Sequence, residues 1–244
     1  LIGAYRFSPN LRFGGYLDQN LSQSTPGGIA QLNNANPMVG IFGVWNQNTD
    51  GTGLEVKLAA GYANKQATLT RPAIGVSEAG TGSTGLTSQG ALGVLKYGFG
   101  LGNTSVVAPY AGMRYVVGGM GGYTEAQSST VSSPLTYNSI NNYTTTALAG
   151  LIGSHKLNEK TNIVASAGAE KDVNASVGNL ITSGNGEFNI AMNNNYRTVR
   201  PTASLGVFYD LSSRERLGLN GIYRQEAYQA VTSTTVMATY TVGL

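Results

Sequence analysis

The side chains best suited to catalysis or metal binding are scarce in this chain. Its single histidine, His155, directly follows Ser154, and a histidine near a serine could act as a base that activates a nucleophile. The sequence places His155 just before the short segment Asn158-Glu159-Lys160, and the pattern indicates no third catalytic group that would orient its imidazole. There is no cysteine and no cluster of histidines to hold a metal. We therefore expect no enzymatic activity, no metal and no cofactor.

Phosphate and nucleic-acid binding are also disfavoured. The pair Gly118-Gly119 lacks the strand-to-helix setting that a phosphate-binding loop requires. The net charge is +3 and the pI is about 9.1, but the basic residues are scattered along the chain rather than gathered in a run or stripe. We expect no nucleic-acid partner.

Composition indicates an unusual environment for this chain. Of its 244 residues, 34 are glycine and only 11% are charged, and the mean hydropathy is −0.08. Soluble proteins carry about 25% charged residues, and a helical membrane protein needs stretches of about 20 apolar residues. A transmembrane β-barrel resolves this conflict, because alternate residues of each strand face lipid and a polar lumen.

Period-two alternation runs through about eleven segments. In the segment 11–18 one parity is apolar or small, namely Leu11, Phe13, Gly15 and Leu17, and the other holds Arg12, Gly14, Tyr16 and Asp18. Similar patterns begin at Leu54, Val107, Ile163 and Ala203. A soluble β-sandwich with one solvent-exposed face shows the same alternation. The lengths of the connections between strands are therefore needed to distinguish a sandwich from a barrel.

Charged side chains fall on the polar parity, and we predict that they line the lumen. Plain solvation and cross-strand pairing would suffice to explain them, and a dedicated functional role is the sharper alternative. The predicted pore-lining residues are Arg12, Asp18, Glu55, Lys57, Lys96, Arg114, Glu170, Arg200, Asp210, Arg216 and Arg224.

Short and long connections alternate along the chain, which favours a barrel over a sandwich. The short ones are turn-forming, and we expect them in the periplasm: 8–10, 50–53, 102–104, 158–160 and 212–215. The long ones are rich in Ser, Thr, Gly and Asn, and we expect them outside the cell: 22–35, 72–87, 127–137 and 174–195, with a shorter link at 230–233. Within 174–195, Gly184-Asn185-Gly186 predicts a projecting hairpin.

The end of the chain has the pattern of a lipid-facing strand. Its apolar parity is typical of the terminal assembly signal of outer-membrane proteins, except that the last residue is Leu rather than Phe: Val236, Ala238, Tyr240, Val242 and Leu244. Because the first turn is short, the segment 1–7 should descend toward the periplasm. Barrels of this kind have an even strand number, so about eleven visible strands predict about twelve in the complete domain, with one upstream.

The order of these elements resembles the C-terminal translocator domain of monomeric (type V) autotransporters. The segment 1–15 looks like the second and third strands of that family, 166–174 is similar to the segment before its long late loop, and 205–213 precedes its closing strand. The resemblance covers essentially the whole chain as one domain, 1–244. The helix that threads the family's pore has no counterpart here, so we expect it upstream of residue 1.

The resemblance implies a monomeric, all-β, antiparallel up-and-down barrel of 12 strands in the outer membrane. Such a domain contacts outer-membrane lipids, is inserted by the barrel-assembly machinery, and anchors and exports its own N-terminal passenger. Two alternatives remain open from the sequence: a passenger-free porin or solute channel, and an adhesive barrel whose long loops bind a surface partner.

Overall fold

The chain folds into β-strands throughout the part that the structure describes. This structure, a computed structural model, describes residues 1–19, 29–33, 36–73, 78–183, 188–191, 199–225 and 232–243. The strands are β1 Ile2–Arg6, β2 Leu11–Asp18, β3 Ala30–Leu32, β4 Met38–Asn46, β5 Gly53–Arg71, β6 Gly80–Leu101, β7 Ser105–Met120, β8 Tyr123–Thr124, β9 Thr136–Tyr137, β10 Ile140–Lys156, β11 Thr161–Ser176, β12 Asn179–Ser183, β13 Phe188–Ala191, β14 Val199–Asp210, β15 Glu215–Gln225 and β16 Thr232–Val242. Within these ranges no helix is long and apolar enough to cross a membrane.

One antiparallel sheet contains most of the strands. Its order is β1-β2-β4-β5-β6-β7-β10-β11-β14-β15-β16, and β3 pairs with β5 beside this path. Each strand of the path pairs with the next strand of the path along the chain, which is the up-and-down topology expected from the alternating connections. The count of about eleven spanning strands is confirmed. Within the described residues β1 pairs only with β2, and β16 only with β15.

The register puts the two parities on opposite faces across the whole sheet. Directly opposed residues share a face, and one such lateral row runs Arg6, Arg12, Val44, Lys57, Val94, Gly112, Leu148, Glu170, Arg200. We call the face of this row the inner face, because it holds the most deeply buried charges. The other, outer face exposes large apolar side chains, among them Leu58, Leu95, Leu151, Leu205 and Leu219. Such a continuous exposed apolar surface is what lipid would cover.

Short turns connect the strands at one end of the sheet. Asn10 links two of them by donating its side-chain amide to the backbone oxygens of Asn46 and Gln47, at 2.7 and 2.8 Å. In the turn before β11, the Asn158 side-chain oxygen accepts from the backbone N–H groups of Lys160 and Thr161. Gly102 has a φ of +67°, which a side chain at that position would strain. These are the short connections that the turn-forming residues predicted.

At the other end, β5 and β6 continue far past the length that a bilayer needs. At 3.3 to 3.4 Å per residue, the 19 residues of β5 extend about 63 Å, whereas about 9 to 11 residues suffice for a spanning strand. After Tyr62 the outer face of β5 changes from apolar to polar, with Asn64, Gln66, Thr68 and Thr70. We call the part of the sheet beyond Tyr62 the extension.

The extension corrects the predicted boundaries of the long loops. Residues 80–87, predicted as loop, belong to β6, because their backbone pairs with the distal half of β5. The predicted loop 22–35 contains β3, and 127–137 contains β9. A second sheet, β13-β12-β9-β8, is built from the late connections. The predicted hairpin is confirmed by the pairing of β12 with β13, and its Gly184-Asn185-Gly186 tip lies outside the described residues.

Candidate functional site

The structure places every predicted pore-lining residue on the inner face. Arg12, Lys57, Glu170 and Arg200 lie in the lateral row that begins at Arg6, and alternation along their strands puts the other charges on the same side. Those others are Asp18, Glu55, Lys96, Arg114, Asp210, Arg216 and Arg224. If the sheet closes into a barrel, this face lines the pore, and that remains a prediction.

A buried ionic network joins four of the strands, and we call it the inner network. Arg200, on β14, has a side chain with 0% exposure and donates to both oxygens of Asp172 on β11, at 2.5 and 2.7 Å. Arg114, on β7, makes a two-point contact with Glu170 at 3.0 and 2.5 Å. Thr146, on β10, donates to Asp172 at 2.7 Å. The network therefore ties β7, β10, β11 and β14 together with charge-assisted hydrogen bonds.

Other inner-face charges form simpler pairs or none. Lys96 lies 2.8 Å from Glu55, and Arg216 lies 2.5 Å from Asp210. Arg224 comes within 3.9 Å of Glu170, at the edge of the inner network. For Arg12, Lys57 and Asp18, the described part of the chain contains no ion pair.

Sequence reasoning missed several charged residues of this face, among them Asp172 and Arg6. Asp172 has the same parity as Glu170, so alternation along the strand was a signal that could have identified it. β11 in fact continues to Ser176, with a bulge opposite Thr145 and Thr146. Arg6 lies directly opposite Arg12, as the short first turn could have indicated.

Aromatic rings on the inner face lie over glycines of neighbouring strands. A Cβ atom added to Gly40 would come within 2.1 to 2.3 Å of three atoms of the Tyr16 ring and hydroxyl. A Cβ at Gly168 would come within 2.3 Å of the Tyr110 hydroxyl. These glycines are required because a ring occupies the volume where a side chain would lie. Each ring and the glycine beneath it join neighbouring strands through van der Waals contact rather than through an ion pair.

His155 lies at the turn end of β10, as the sequence predicted, but its neighbour differs from the expected one. Its Nδ1 is 2.7 Å from the Ser105 hydroxyl of β7, which is the directly opposed residue, whereas Ser154 points to the other face. Within the described ranges no carboxylate contacts the imidazole to orient it. The pair thus lacks the third group that a catalytic triad uses.

A polar cluster holds the connection between β7 and β10 against the extension, and we call this cluster the brace. Arg71, at the end of β5, makes a two-point contact with Glu125 at 2.8 and 2.9 Å. Glu125 also accepts from the backbone of Leu135 and from the Tyr137 hydroxyl, at 3.0 and 3.1 Å. Glu78 accepts from Ser132 and Ser133. The hydrogen bond from Arg71 is the main cause that lowers the pKa of the Glu125 carboxyl.

We predict that Glu125→Gln releases the segment 126–135 from the extension. A lowered folded-state pKa means that ionised Glu125 stabilises this region above the carboxyl's unfolded pKa, and that this contribution is lost as the pH falls through the lowered value. Because Arg71 is partly exposed, we expect the substitution to make opening of this segment easier by about 2 kcal/mol. That corresponds to roughly thirtyfold faster cleavage of the segment by a nonspecific protease. The matched control, Glu78→Gln, should change the rate less. Equal rates for Glu125→Gln and the unmodified protein would contradict the assignment.

The closing strand β16 presents the predicted apolar set on the outer face. Val236, Tyr240 and Val242 are exposed there, opposite Gly221, Leu217 and Glu215 of β15. Ala238 lies among them opposite Leu219, whereas Leu244 is outside the described residues. As for metals, no group of three or more potential ligands occurs in the described part of the chain.

Comparison with known proteins agrees with this architecture. The family model of the autotransporter β-domain matches residues 3–223. Among solved structures, the chain is similar to the translocator domain of autotransporter NalP from Neisseria meningitidis, with a TM-score of 0.64 and 17% sequence identity. That match covers 98% of this chain and 76% of the other. No curated protein sequence matches the chain.

The family match extends over nearly the whole chain, and the structural likeness independently supports the fold. Translocator domains are not enzymes by kind, and they lie in the outer membrane. The apolar outer face and the charged inner face fit that location. The chain therefore belongs to the autotransporter β-domain family and is an outer-membrane translocator for the export of a passenger.

Proposed function

We propose that this domain anchors its own N-terminal passenger and supports its passage to the cell surface through a lumen lined by the inner face. The observation that carries this proposal is the division of one up-and-down sheet into an apolar exposed face and a face of paired charges. A polar lumen can hold an extended polypeptide, while the closed hydrogen-bond ring allows β-structure to persist in lipid.

Closure of the barrel is part of the proposal. Both β1 and β16 have a single strand neighbour within the described residues, and unpaired strand edges are unfavourable in a bilayer. We infer that a twelfth strand from upstream residues pairs with both edges, and that a helix preceding it reaches the lumen. The share of the NalP translocator domain outside the match leaves room for such elements.

We infer the orientation from the two unlike ends of the sheet. The short turns belong in the periplasm, and the extension with its second sheet belongs outside the cell, since long loops of such barrels are extracellular. We further propose that Val236, Ala238, Tyr240, Val242 and Leu244 form the signal read by the barrel-assembly machinery. The barrel acts as a monomer and has no catalytic activity of its own.

The test uses the complete gene expressed in its native outer membrane, with an epitope at the N-terminus of the mature passenger. We expect protease added to intact cells to remove the epitope and to cut in 126–135, and to leave the turn segment 211–214 uncut. Deletion of residues 232–244 should abolish surface display, because the sheet loses its closing strand. The matched control is Thr234→Val, a single outer-face change in the same strand. A complete gene with only a signal peptide and one strand upstream of Leu1 would overturn the export function in favour of a channel.

A further inference from the structure

Three basic side chains form a group that the translocator fold by itself does not explain. Arg6 and Arg12 are directly opposed across β1 and β2, and Arg12 is followed in the same lateral row by Val44 and then Lys57. We call Arg6, Arg12 and Lys57 the basic row. Directly opposed like charges destabilise a sheet pair, so the arrangement of Arg6 and Arg12 is unfavourable unless an anionic group offsets it.

Nothing in the described part of the chain neutralises the basic row. None of its three side chains takes part in an ion pair or a side-chain hydrogen bond there. Glu55 is the nearest acidic residue along β5 on this face, and its carboxylate is bound to Lys96 at 2.8 Å. Asp18 lies six residues from Arg12, about 20 Å along the strand. All three basic side chains are exposed.

The opposite part of the inner face is organised differently. There Arg200 binds Asp172, Arg114 binds Glu170, and Arg216 binds Asp210. Each of these cations is paired with a carboxylate, so these pairs contribute little net positive charge to this wall, the part of the inner face formed by β7, β10, β11, β14 and β15. Lys156, at the turn end of β10, is the exception, because it has the inner parity, is exposed and has no ion pair within the described residues. The largest group of uncompensated positive charges on the inner face is therefore on β1, β2 and β5, near the turn end of the sheet.

We propose that the basic row is an anion-binding site that makes the lumen selective for small anions. Within a closed lumen of low-dielectric walls, charge of one sign concentrates counter-ions, and exposed guanidinium and ammonium groups attract them without a fixed geometry. The inference rests on the closed barrel of the proposed function. It adds an ion selectivity to the translocator and assigns that selectivity to three residues.

The test exploits the absence of cysteine from residues 1–244, and any cysteine elsewhere in the complete protein is replaced by serine. In the complete protein, reconstituted from outer membranes, single variants Ala59→Cys and Ser204→Cys are treated with anionic and cationic methanethiosulfonates. Ala59 lies on the inner face two residues from Lys57, about 7 Å along the strand, whereas Ser204 lies on the wall of paired charges, hydrogen-bonded to Ser166 at 2.6 Å. We expect the anionic-to-cationic rate ratio to be about sevenfold higher for Ala59→Cys than for Ser204→Cys, because a unit charge about 7 Å away in water attracts the anion and repels the cation by about RT each.

Adding Lys57→Gln to Ala59→Cys should reduce the ratio, and so should raising the salt from about 0.1 M to 1 M, which shortens the screening length from about 10 to 3 Å. Reversal potentials across planar bilayers should show the same preference for chloride over potassium. Equal ratios at the two positions, or an Ala59→Cys variant that neither reagent modifies, would overturn the proposal. Epitope display measured on the same variants reports export separately, so that a failed anion site is distinguishable from a failed translocator.

Discussion

Arg200→Leu is expected to destabilise the barrel by about 3 to 5 kcal/mol, because it leaves a buried carboxylate without its partner. The side chains of Arg200 and Asp172 are 0% and 1% exposed, so neither group has water to replace the lost contact. Glu170, 3.6 Å from Arg200, would lose a second positive neighbour. The measurement is the urea midpoint for loss of the compact, heat-modifiable form of the complete protein in lipid.

The control for this prediction is the same substitution at an exposed ion pair. Arg216 and Asp210 also contact at 2.5 Å, but their side chains are 51% and 37% exposed, so Arg216→Leu should cost no more than about 1 kcal/mol. The double variant Arg200→Met with Asp172→Leu should recover part of the loss, since replacing both members of a buried pair is often tolerated. If Arg200→Leu and Arg216→Leu unfold at the same urea concentration, burial of the inner network does not determine its contribution.

Gly40→Val is expected to impair assembly, because the new side chain would occupy the volume of the Tyr16 ring. The three nearest atoms to a Cβ at this position all belong to Tyr16, at 2.1 to 2.3 Å. Overpacking of this kind costs about 1 to 3 kcal/mol. The yield of heat-modifiable barrel in the outer membrane measures the effect.

A suppressor and a control make the cause identifiable. Tyr16→Ala removes the ring that supplies all three of those atoms, so the double variant should recover much of the yield that Gly40→Val loses. Gly43, three residues along β4 and on the outer face, has open space where a Cβ would lie, with no atom within 4 Å, and Gly43→Val should assemble normally. A double variant that assembles as poorly as Gly40→Val would show that the ring is not the cause.

The number of strands, their faces and their turns could be predicted from the sequence because each depends on near neighbours. Alternation has a period of two residues, and the turns use Pro, Asn, Gly and Ser at positions such as Ser8, Asn10 and Gly102. The same local signals failed for residues 80–87 of β6. Small and hydroxylated residues there resemble a loop, and only pairing with β5 makes them a strand.

Parity along each strand is local, so the order of residues was enough to put Arg12, Lys57, Glu170 and Arg200 on one face. Which of these charges have partners could be learned only from the folded sheet. Arg200 meets Asp172 from an adjacent strand, while Arg6 meets Arg12. The physical reason is that pairing depends on the register between strands, and a shift by two residues would keep every side chain on its face but exchange every charge partner.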